Sequence, residues 1–398
     1  MAQRDISMFR YGLIVLTSLA AACLLWADAD SKKPTSFMAV VSANFDKWDL
    51  NHDGKLTSDE INKLLSSHTI TGEAAAALAS IHVFQRGKKA GGPALSRDML
   101  KHQAGKDDGD VGRRDKAQKA PHFENNYQSF RTHIAKAPRE LFVGKAPSLT
   151  GFSQGNLGDC YFLSAVGAAV NRNPALIRRM FQPRPDGSVD LTFANGRHVH
   201  VTKLTDAEIA IGSSAGQQGL WLNVLEKGFG QVKIHTSRGV NRGEPGLDAI
   251  ATGGDADDTI SLLTGHKADM LTIRNGKGKE PPPPSGRELP ILVTKLRALF
   301  RISNTAHPLL CAGTPGGKLP PGVVTDHDYA ILGYDNATDT VHLWNPWGNQ
   351  HKIKGPPGLQ FGYAVDGGKF SMPLNEFVQI FEEVYYETAL PPHVRGRK

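Results

Sequence analysis

Cys160 closes a polar, glycine-bearing loop, Gln154-Gly155-Asn156-Leu157-Gly158-Asp159, and opens a largely apolar run from Tyr161 to Val170. A run of that kind reads as the start of a buried helix, so the rest of the chain must supply a core around it. A thiol at a helix N-terminus faces unpaired N–H groups and the positive end of the macrodipole, which favour the thiolate. Gln154, a little upstream, can bring a side-chain amide beside it. Nucleophilic attack on a carbonyl needs both parts, an activated thiolate and donors aimed at the oxyanion.

At 398 residues the chain exceeds one average domain. Its net charge of +7 comes from scattered Lys and Arg with no basic stripe interleaved with aromatics, which argues against a nucleic-acid partner. The cysteines are Cys23, Cys160 and Cys311, too few for a disulfide framework. Cys311 lies in the apolar Leu309-Leu310-Cys311-Ala312 and reads as a core strand residue. Arg4 and Arg10 precede an apolar stretch, residues 11–27, which ends at Ala27-Asp28-Ala29 before polar sequence. That order is the grammar of a signal peptide over residues 1–29, with a retained membrane anchor as the alternative. Either places the remainder outside the cytoplasm: secreted, periplasmic or at the cell surface.

Asp49 to Glu60 has the pattern of an EF-hand loop. Asp49, Asn51, Asp53, the carbonyl of Lys55 and Glu60 supply oxygens, with Thr57 acting through water, Gly54 at the turn and Leu56 pointing inward. Calcium needs six to eight oxygen ligands, and this spacing converges them, so Ca2+ is the expected cofactor. Phe37, Val41, Phe45 and Trp48 before the loop, and Ile61, Leu64 and Leu65 after it, recur at helical spacing. Residues 73–101 read as a second helix–loop–helix whose loop lacks carboxylates, a partner that packs without metal. The expected small all-α module thus spans residues 34–101, with a charged, glycine-bearing linker over 102–122. His198 and His200 share one exposed face of a probable strand, and Asp255, Asp257 and Asp258 open a helix.

Further motifs follow in order: Leu220-Trp221-Leu222-Asn223-Val224-Leu225-Glu226-Lys227, Leu263-Thr264-Gly265, Asp326-His327-Asp328-Tyr329-Ala330-Ile331, Trp344-Asn345-Pro346-Trp347-Gly348 and Asp366-Gly367-Gly368-Lys369-Phe370. With Gln154–Leu163, these resemble the catalytic domain of calpains, the calcium-linked branch of papain-like cysteine proteases, over roughly residues 125–390. The resemblance implies an α+β, two-lobed papain-like domain at 123–390, helical over about 123–245 and strand-rich over about 255–390, then a basic tail at 391–398. It assigns Cys160 as nucleophile, His327 as base and then acid, Asn345 as the group that holds the imidazole, Gln154 as oxyanion donor and Trp347 as a shield. The implied activity is that of a cysteine endopeptidase acting on proteins or peptides. This chain has Tyr161 where the family carries Trp, and Asp326 and Asp328 where it prefers Gly and Ala. Two carboxylates beside His327 are expected to raise its pKa and to compete for its ring. Gly151, nine residues before Cys160, offers no carboxylate where the family's core binds calcium, so a chain starting near residue 123 is expected to stay active in chelator. The rival readings are an inactive calcium-binding protein on a protease fold and a Cys-dependent acyl transferase; Asn345, in place of Asp, speaks against the latter.

Overall fold

The computed structural model describes residues 35–86, 92–107, 122–144, 146–236, 246–275 and 280–388. Two compact units divide the chain, residues 1–36 and 37–398, and the second carries everything below. The leader, most of the expected linker and the basic tail lie outside the described residues. None of the described helices is long and apolar enough to cross a membrane.

The first layer runs α1 (Phe37–Trp48), β1 (Lys55–Leu56), α2 (Ser58–Leu65), α3 (Gly72–Arg86), β2 (Leu95–Ser96) and α4 (Arg97–Asp107). It forms two helix–loop–helix units whose loops pair through β1 and β2, Leu56 opposite Leu95. Thr57 starts α2 with a reciprocal capping box to Glu60. Helix α4 continues into the residues read as linker. Helix α3 is buried along Ala75 to His82, because α1 and α2 cover it on one side and later helices on the other. The layer therefore does not own a separate core: Phe37 stacks on Phe123 at 4.8 Å between ring centroids, and its apolar residues join those of the next lobe in one cluster.

That lobe comprises α5 (Phe123–Lys136), α6 (Cys160–Arg172), α7 (Pro174–Arg179), β3 (Phe181–Pro183), β4 (Val189–Thr192), β5 (His198–Val201), α8 (Asp206–Ile211), α9 (Trp221–Thr236) and α10 (Ala256–Thr264). Every residue of α6 from Tyr161 to Val170 is buried. Gly167 is the close-approach point: a Cβ there would lie 2.3 Å from the Trp344 ring, so only glycine lets that indole lie on the helix. His198 and His200 do alternate on the exposed face of β5, bonded to Thr192 and Asp190 of β4.

The strand-rich lobe adds β6 (Ala268–Thr272), α11 (Glu288–Ala306), β7 (Leu310–Thr314), β8 (His327–Asp335), β9 (Thr340–Trp344), β10 (Lys369–Pro373), α12 (Leu374–Ile380) and β11 (Glu383–Glu387). Its sheet has the order β10-β9-β8-β7-β11-β6 with antiparallel neighbours. Strand alternation splits its side chains between two cores. Cys311, Ala330 and Trp344 face α6; Leu310, Ala312, Tyr329, Ile331 and Leu343 face the other way, packing with Leu296 and Phe300 of α11 and Phe377 of α12. Helix α6 is thus pressed against β8, the strand that His327 opens.

Candidate active site

Three loops meet at the N-terminus of α6. The first, residues 152–159, is held against the second by the Gln154 N–H donating to the Pro346 carbonyl at 2.9 Å. Phe152 meets the Trp344 ring edge-on at 4.8 Å. Gly348, at φ 61°, passes the Phe152 carbonyl so closely that a Cβ would sit 2.4 Å from it. The third, residues 248–254, bonds Gly158 from both sides: Gly158 N to Ala251 O at 3.1 Å, and Gly253 N to Gly158 O at 3.0 Å.

His327 opens β8 and Asn345 follows β9, next to each other in the sheet, so their side chains meet at the same end. The imidazole Nε2 lies 2.8 Å from Asn345 Oδ1. That oxygen also accepts the Trp347 backbone N–H at 2.9 Å, which fixes the amide's orientation, because a backbone N–H can only donate. Nε2 must then carry the proton, and Nδ1 is left as the basic nitrogen. His327 is 5% exposed and Asn345 fully buried, with the Trp347 ring tilted over the imidazole at 4.9 Å. The expected shielding by Trp347 has this geometry.

Charge on His327 and Cys160 runs opposite to the expectation. Burial pushes the His327 imidazole down to about 4; Asp326 and Asp328 do not raise it. Asp328, one residue along a strand, projects to the α6 side, as Ala330 does two residues on. There its Oδ2 takes the thiol hydrogen bond of Cys160 at 3.7 Å. Burial first, then Asp328, pushes the Cys160 thiol up to about 12, overriding the helix dipole. Asp328 is itself pushed up to about 8, mainly by burial and then by Glu383. No hydrogen bond joins Cys160 to His327 among the described residues, so this arrangement holds a protonated thiol rather than an ion pair.

Gln154 lies on the nucleophile loop, but its amide is turned inward, Nε2 donating to Leu157 O at 2.8 Å and Asp159 Oδ1 at 3.2 Å. Behind it, Asp159 and Glu226 are fully buried and near enough for each to shift the other's titration. Asp159 Oδ2 and Glu226 Oε1 have no hydrogen-bond partner among the described residues. Burial keeps both above the usual carboxylate range. Sequence reasoning missed the thiol contact of Asp328 and this pair; the alternation of β8 was the available signal for the first.

Far from this centre, Asp49 and Glu60 are the buried carboxylates of the 49–60 loop, 5% and 7% exposed. Asp49 accepts the N–H groups of Asp53 and Gly54; Glu60 accepts those of Leu50, Asn51 and Thr57. The donor set is all oxygen and suits a hard cation. No three acidic, histidine or cysteine side chains among the described residues are drawn together into a metal cluster.

Residues 114–357 match the family model described as calpain family cysteine protease. The calpain-type cysteine protease DEK1 of Zea mays is 26% identical over 283 residues, covering 64% of this chain and 12% of that protein. Calpain clp-1 of Caenorhabditis elegans is 22% identical over 269 residues, covering 58% of this chain and 31% of the relative. This chain thus spans a minor part of those relatives' lengths. It belongs to the calpain family of cysteine proteases.

Proposed function

We propose that the chain is a cysteine endopeptidase that cleaves peptide bonds through a thioester on Cys160. The observation that carries this is the shielded His327–Asn345 pair at the mouth of the helix that Cys160 opens. For reaction, the thiol turns from Asp328 to Nδ1 of His327, which takes its proton. The thiolate adds to the carbonyl, and its oxyanion meets the Cys160 N–H and the Gln154 amide once that amide leaves Leu157 O. The imidazolium then protonates the leaving amine, and water, deprotonated by His327, releases the acyl group. Asn345 keeps Nδ1 facing the thiol throughout.

In this reading Asp49, Asn51, Asp53, the Lys55 carbonyl and Glu60 would hold calcium, which would supply charge that knits the 49–60 loop rather than chemistry at Cys160. The apolar leader suits export or anchoring.

The contact of Cys160 with Asp328 favours a second reading, a catalytically silent calpain fold. A peptidyl epoxide with mass mapping separates the two. Fast labelling of Cys160 with Cys311 spared, and loss of peptide hydrolysis in Cys160→Ala, is expected of the peptidase. Equal, slow labelling of both cysteines would leave only the silent reading.

A further inference from the structure

Arg86 ends α3, in the N-terminal helical layer, yet its guanidinium reaches the loops that hold the nucleophile. One arm donates to the Asn156 carbonyl. The other lies 3.7 Å from Asp248 Oδ1, the same oxygen that His82 of α3 meets at 2.8 Å. Arg86 is 16% and Asp248 12% exposed in their side chains, so that ion pair is not a solvated surface pair. Asn156 sits in the loop that ends at Cys160. Asp248 begins the segment whose Ala251 and Gly253 bond Gly158 and whose Gly254 lies against the Tyr161 ring. One planar cation, forked between them, sets the spacing of the two backbones that wall the nucleophile. A lysine is a point charge and cannot reproduce that fork. On the same helix, Gln85 Nε2 donates to the Leu56 carbonyl at 3.1 Å, so the anchor of Arg86 is itself tied to the 49–60 loop.

We propose that Arg86 is a positioning residue for the peptidase reaction, through which the N-terminal helical layer becomes part of the catalytic unit. This rests on Cys160 as nucleophile. It assigns to a helix outside the residues of the family match, 114–357, a role in placing the thiol.

The test uses the full chain and three variants: Arg86→Leu, Arg86→Lys and Arg97→Leu. Arg97 is the control, since it pairs with exposed Asp46 in the same layer and touches neither loop. Misplacement of a reacting group by a fraction of an ångström costs about tenfold or more in rate. Arg86→Leu is therefore expected to lower kcat by at least about tenfold with KM nearly unchanged, and to slow iodoacetamide alkylation of Cys160 in parallel across the pH profile. Arg86→Lys should recover part of both, and Arg97→Leu should match the wild type. Equal kcat and alkylation in Arg86→Leu and Arg97→Leu overturn the proposal. So does a loss in Arg86→Leu that appears only as a rise in KM. If Arg86→Leu does not fold, Arg86→Lys and Asp248→Asn carry the same readouts, and wild-type rates in both overturn it. If the wild type hydrolyses no peptide, the peptidase reading fails by itself, while the alkylation arm still decides on the clamp.

Discussion

Asp328 adds to burial in keeping the proton on the Cys160 thiol. A carboxylate that takes the thiol hydrogen bond keeps the proton on sulfur, and in calpain relatives the favoured residue at this place, alanine, cannot do so. Asp328→Asn removes the charge and keeps the shape. With a negative neighbour gone, the thiolate costs less to form, so the apparent pKa of Cys160 should fall. Iodoacetamide alkylation at about pH 9, above the value of about 8 to which Asp328 is pushed, should then rise by about tenfold, the equivalent of one pKa unit below the present value. A slower reaction would mean that Asp328 acts as a base for Cys160. Gln154→Ala should lower kcat by about 10²-fold with little change in KM, the scale of one lost oxyanion donor; an effect on KM alone would place the amide in substrate binding. The identities of Cys160, His327 and Asn345 as candidates were legible in the motifs around them. The direction of their charge was not, because burial depends on which strands and helices cover the groups, and that is set by residues far away in sequence.

At the scale of elements, the contact of α6 with α9 contains the Asp159–Glu226 pair. Burial raises both carboxyls, so the folded state binds a proton that the unfolded chain has released above the ordinary carboxylate range. Stability from the pair is therefore complete in mild acid and is lost as pH rises through the raised folded values. Glu226→Gln should flatten that decline in melting temperature between pH 5 and 8; an unchanged slope would show that the pair does not set it. In the first layer, the 49–60 loop gives an independent expectation. Calcium should bind one site there and raise the melting temperature by linkage, and Glu60→Gln should weaken binding strongly, as measured by calorimetric titration. Heat of binding equal in the two proteins would remove Glu60 from the ligand set. The helices of this layer were readable from spacing. The end of α4 was not, because its glycine and charges resemble a linker.

For the whole molecule, the first layer and the helical lobe share one core, which bears on how a shortened chain folds. A chain beginning near residue 123 would expose Phe123, Tyr127, Phe130 and Ile134, now buried on α5. Each large apolar side chain left in water costs about 1.5–3 kcal/mol, so this truncated chain should melt well below the full chain or aggregate. A melting temperature equal to that of the full chain would show that the layer is dispensable. The sequence by itself determined the family resemblance, the order of the motifs that carry it, the oxygen-rich spacing of residues 49–60 and the helix that Cys160 opens, because each is carried by neighbours along the chain. Tertiary structure alone decided that Asp328 rather than His327 holds the thiol, that Asp159 and Glu226 share a buried contact, and that Arg86 reaches the nucleophile loop. These are pairings between residues distant in sequence, brought within bonding reach only when strand alternation and helix packing choose which side chains face each other.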